Sequence, residues 1–187
     1  MIRRGGAFSL ELAGLLIFSF KTSWIAISTS LLYIPIMNSF SIKGSSGFIK
    51  IKIEEVYGYP NETSVFGGYD TRSKLRLKST GFSVNSILWV STGDIFNFYK
   101  ELEATQRDLR GTASFNSYEN NLSFKICYNT LGHVSIVGEF RDNCEESNVL
   151  KFEILTDQSY LNRSLGKLRQ MVEKYGDNTG IACSARG

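Results

Sequence analysis

Residues 150–161 read LKFEILTDQSYL, and the fold turns on how this stretch is parsed. Leu150, Phe152 and Ile154 alternate with Lys151, Glu153 and Leu155, the period of two expected of a strand buried on one side. The alternation ends at Thr156-Asp157. From there Leu161, Leu165, Leu168, Val172 and Tyr175 recur at steps of four and three, an apolar stripe along one side of a helix. Such a join predicts a helix folded back onto the apolar face of a sheet, ending at Gly176. Asp157 stands at the junction, where a carboxylate could serve catalysis or simply start the helix. A side-chain oxygen of Thr156 or Asp157 that accepts from the free N–H groups of the first turn accounts for the position without chemistry.

Upstream, the same reasoning divides residues 38–155. GFIKIKIEEVYGY (47–59) alternates Ile49, Ile51 and Ile53 with Lys50, Lys52 and Glu54. SKLRLKS (73–79) alternates Leu75 and Leu77 with Lys74, Arg76 and Lys78, and FSVNSILWVS (82–91) follows a break at Gly81. A helix is expected next, capped by Thr92 or Asp94, with Ile95, Phe98, Tyr99, Leu102 and Leu109 at helical spacing and Gly111 as its stop. Strand-like runs at 112–118, 121–129, 133–142 and 148–155 are joined by short turns, which implies an antiparallel meander. The fold class this order predicts is α+β: an antiparallel sheet of six to seven strands with two amphipathic helices packed on one face. Residues 37–176 read as a single domain and 177–187 as an unstructured tail.

The chain has 187 residues, enough to bury a sizeable core. Its 42% hydrophobic content excludes an intrinsically disordered chain. The net charge is +3. Arg3, Arg4 and Lys21 against Glu11 supply +2 of it before residue 37, so the overall basicity is no argument for nucleic-acid binding. The three cysteines, Cys127, Cys144 and Cys183, form no CxxC pair and suit a reducing compartment.

Residues 1–36 form a hydrophobic leader. LAGLLIFSF (12–20), Lys21 and WIAISTSLLYIPIM (24–37) make it the most apolar part of the chain. Three readings stay open: translation that starts at Met37, a signal anchor spanning 12–34, and a packed extension. Lys21 near the middle opposes the anchor, because a cation at a bilayer centre costs roughly 2.5–3.5 kcal/mol.

Four features could carry chemistry. Lys50/Lys52 and Lys74/Arg76/Lys78 could form a basic face, although solvation of an outer sheet face explains them and Glu54 interrupts the row. His133 is the only histidine; no GxSxG or other triad signature accompanies it, and zinc needs about four converging ligands. No cofactor or metal site is expected. Glu139, Asp142, Glu145, Glu146, Glu153 and Asp157 make 139–157 acidic, with Arg141 and Lys151 as the only offsets. These residues read as a solvated surface or as a docking patch for a basic partner. A hydrolase that uses this region, His133 or Asp157 is the enzymatic alternative, and it requires a deep pocket where those side chains converge.

LRGTASFNSYENNLSFKICYNTLGHVSIVGEFRD (109–142) together with LKFEILTDQSYLNRSLGKL (150–168) resembles the WapI-like family of bacterial immunity proteins. The resemblance rests on Gly111, Ala113, Phe115, Ser117, Glu119 and Leu122, then Gly132, His133, Val134, Gly138, Arg141 and Asp142, and finally Phe152 and Asp157 to Leu161. It extends over about 40–176, leaves out the leader and so favours Met37 as the start. It implies a cytoplasmic, non-catalytic protein whose partner is the C-terminal domain of a polymorphic toxin, often a nuclease. No membrane and no direct nucleic-acid contact are implied. Glu139, Asp142, Glu145, Glu146 and Glu153 are the expected partner-binding residues, with carboxylates standing in for phosphates.

Overall fold

The computed structural model describes residues 38–128, 133–142 and 148–181. Strands β1 (Ser39–Lys43), β2 (Gly47–Val56), β3 (Asp70–Ser79) and β4 (Phe82–Ser91) form one antiparallel sheet in sequential order. Helix α1 (Thr92–Asp108) leads to a second, built from β5 (Gly111–Asn116), β6 (Leu122–Tyr128), β7 (Val134–Arg141) and β8 (Val149–Thr156), again antiparallel and sequential. Helix α2 (Gln158–Tyr175) closes the domain. The class is α+β, as expected. There are eight strands rather than six or seven, shared between two sheets, because α1 separates β4 from β5 and the short segment SFSIK adds β1.

One apolar core joins both sheets and both helices. Phe40 from β1, Phe98 from α1, Phe115 from β5 and Phe124 from β6 are all buried in it. The Phe98 ring lies 6.1, 5.6 and 5.3 Å from those of Phe40, Phe115 and Phe124, so one helical side chain links the inner faces of the two sheets. Gly138 on β7 has no room for a side chain. A Cβ there would stand 2.4 Å from the Ser123 carbonyl oxygen and 2.7 Å from the Phe152 ring.

The outer edge of β8 is not left bare. Ser45 N–H donates to the Leu155 carbonyl (2.8 Å), Thr156 Oγ1 donates to the Lys43 carbonyl (2.6 Å), and Ser79 Oγ donates to the Glu153 carbonyl (3.1 Å). The β1–β2 turn and the end of β3 thus cover an edge that would otherwise invite pairing with another chain. Gly44 makes that approach possible: a Cβ would lie 2.1 Å from the Leu155 oxygen.

The helix termini correct two details of the sequence reading. Helix α1 is capped by Ser91, not Thr92 or Asp94: Ser91 Oγ accepts from Asp94 N–H (3.0 Å) while Asp94 Oδ2 accepts from Ser91 N–H (2.9 Å). Leu109 is not on the buried stripe but is the left-handed C-cap (φ 50°), half exposed beyond the helix end. At α2, Asp157 is the cap: Oδ1 accepts from the N–H groups of Ser159 (2.8 Å) and Tyr160 (3.4 Å). The helices meet where Glu103 accepts from Tyr99 Oη (2.5 Å) and pairs with Arg169 (3.2 Å). Residues 177–181, placed in the tail by the sequence reading, fold against the 67–69 loop. The Asn178 carbonyl accepts from Gly68 N–H (2.6 Å), and Tyr69 Oη accepts from Ile181 N–H (3.1 Å).

Candidate functional site

Each sheet turns one face to the core and one outward, and the two outer faces differ in how their charges are arranged. On the second sheet, register places Ser123, Glu139 and Lys151 in one row and Lys125, Val137 and Glu153 in the next. Signs alternate here: Glu139 stands across from Lys151 and pairs with Arg141 on its own strand (3.2 Å). A shallow depression of about 590 Å³ lies on this face, bordered by Lys125, Val137, Glu139, Lys151 and Glu153.

The expected partner-binding residues separate accordingly. Glu139 and Glu153 share the outer face of the second sheet. Asp142 lies beyond β7 and accepts from Ser86 Oγ of β4 (3.0 Å), which turns it toward the first sheet. Glu145 and Glu146 lie outside the described residues, as do Cys144, Cys183 and the leader. His133 is exposed just ahead of β7, and neither it nor Asp157 borders the depression. Hydrogen bonding, led by the Ser159 hydroxyl, holds the Asp157 carboxyl below its ordinary range. Among the described residues no group of three or more His, Cys, Asp or Glu side chains could hold a metal ion. No helix among them is long and apolar enough to cross a membrane.

The outer face of the first sheet is different. Lys50 stands directly across from Arg76, and Lys52 across from Lys74. Lys43 and Lys78 flank Phe48 in the next row. Five of these six cations are exposed and Lys50 is half-buried. No carboxylate of the described residues lies within ion-pair distance of any of them. The acid expected to interrupt this row is displaced. A β-bulge between Ile53 and Glu55 shifts the register, and Glu54 and Glu55 both reach Arg72 instead, at 3.2 and 3.5 Å. Beside the cations, Ile87 faces Lys74 from the edge strand and is 47% exposed, and Trp89 stacks on Tyr57 at 5.9 Å. Alternating Lys and Arg in the sequence signals an outward face, but only the strand register reveals that like charges meet across it.

The two outer faces thus lie on one common core, one with alternating charges and one with cations alone. Comparison with curated proteins and with solved structures gives no match. The family profile that does match spans residues 40–176, from β1 to the end of α2 and so nearly all of the described core, and the chain belongs to the immunity protein WapI-like family.

Proposed function

We propose that this protein is a bacterial immunity protein that binds the C-terminal domain of a polymorphic toxin in the cytoplasm and neutralises it by direct contact, with no reaction of its own. The family match across residues 40–176 carries this reading. The outer faces support it, because hydrogen-bonded strands hold their exposed side chains in fixed register and so lose less freedom on docking than a loop would. For a basic toxin such as a nuclease, Glu139, Asp142, Glu145, Glu146 and Glu153 are a candidate contact set that would draw the toxin in electrostatically.

Co-expression tests the function. The cognate toxin domain is to be sought as the toxin-like C-terminus of a large protein encoded by the upstream neighbouring gene; expressed alone it should arrest growth, and co-expression of the full immunity chain should restore it. Continued arrest at equal expression of the two proteins would refute the reading. Within it, the triple reversal Glu139→Lys, Asp142→Lys and Glu153→Lys should weaken protection where the acidic set is the contact.

A further inference from the structure

Within this immunity reading, on which the inference rests, we infer that the outer face of the first sheet is the principal contact and that it receives a carboxylate-rich surface of the toxin domain. The face carries Lys43, Lys50, Lys52, Lys74, Arg76 and Lys78 with no counter-ion among the described residues. Like charges directly opposite on neighbouring strands destabilise a sheet. The second sheet of the same molecule avoids this arrangement by setting Glu139 against Lys151. A repulsive pairing kept twice, at Lys50–Arg76 and Lys52–Lys74, is relieved when an acidic surface settles on it. The acidic candidates have less need of a partner, since Glu139 already pairs with Arg141 and Asp142 accepts from Ser86.

The surroundings favour a protein over a polyphosphate backbone. Ile87, in register with Lys74, offers an apolar anchor inside the charged field. Trp89 and Tyr57 are stacked on each other rather than splayed to receive bases, and beside them Glu54 and Glu55 share the single cation Arg72, an excess carboxylate that would repel phosphates. At the opposite end an open depression of about 540 Å³ lies between Lys43, Phe48, Lys78 and Tyr160, wide enough to admit a protruding acidic side chain. An acidic patch with an apolar margin, one side chain entering that depression, matches these features together.

The test uses the double variant Lys52→Glu/Arg76→Glu. Each new glutamate faces a remaining cation, Lys74 or Lys50, so the charge of the face falls from +6 to +2 without a new like-charge pair. Binding of the full-length variant to the upstream-encoded toxin domain should weaken by about tenfold or more at physiological salt, chiefly through slower association. The matched reversal Arg110→Glu/Arg163→Glu, at exposed positions outside the strands, should change it by less than about threefold. A cooperative thermal transition at or above that of the unaltered chain shows that the variant is folded. Wild-type affinity in the Lys52→Glu/Arg76→Glu protein overturns the inference and leaves the immunity reading standing. Failure of the unaltered chain to bind the toxin domain overturns both. A labelled single-stranded oligonucleotide, or vesicles rich in phosphatidylserine, bound by the unaltered chain and lost in the variant while toxin binding persists, would assign the face to a different partner and also overturn the inference.

Discussion

Phe98 is the side chain on which the two sheets converge. It is fully buried, and rings from β1, β5 and β6 surround it. Phe98→Ala should therefore cost about 3–5 kcal/mol in a denaturant titration; a loss below about 1 kcal/mol would mean that the sheets hold together without it. Lys52 makes the opposite case. It stands across from Lys74, so Lys52→Glu turns a repulsive pair into an attractive one and should raise stability by roughly 0.2–1 kcal/mol. The same substitution should slow association with the toxin domain, a gain in stability coupled to a loss of function. At this scale the sequence was informative about direction and silent about distance. Alternation around Ile49–Ile53 and Leu75–Leu77 shows which side chains face outward. It cannot show that Lys52 faces Lys74, nor that a bulge carries Glu54 to Arg72, because register depends on turns and on packing against other elements.

Elements are held by short-range devices, some readable and some not. Asp157 was readable, since a carboxylate just before an amphipathic run is a capping signature, and it caps α2. Ser91 was not, because it sits at the end of a strand and carries no mark that the helix begins there; its role needs the reciprocal bond with Asp94. Hydrogen bonds from the Ser159 hydroxyl and from the backbone depress the Asp157 carboxyl below its ordinary value of 3.8. The folded value lies under the unfolded one, so the cap's contribution is complete above the unfolded value and fades as pH falls through the folded value. The protection factors of the Ser159 and Tyr160 amides, relative to intrinsic exchange at each pH, should fall along that acid limb. Asp157→Ala should show the lower protection at neutral pH and lose the acid dependence; protection equal to wild type would mean that Asp157 does not cap α2. The contact between β8 and the first sheet makes its own prediction. Gly44→Ala would drive a methyl group to 2.1 Å from the Leu155 oxygen, so it should destabilise the protein by about 1–3 kcal/mol and expose the Ser45 amide to exchange.

At the scale of the whole molecule, a net charge of +3 conceals the arrangement of the charges. One outer face alternates its signs and the other gathers six cations. Composition sums over both and reports neither. The division into two sheets was also hidden, since local patterns mark strands but not which strands share a ladder. What could be read at long range was the family, through the stretch from Gly111 to Leu161, and with it the expectation of a binding protein. Neutralisation by stoichiometric binding is tested by titrating the purified full chain into the cognate toxin domain, with toxin activity followed at each step. Activity should fall linearly to zero at an equimolar ratio, with a complex that survives size-exclusion chromatography and leaves the toxin chemically unaltered. Complete inhibition at a small fraction of an equivalent, or inhibition without a complex, would contradict it.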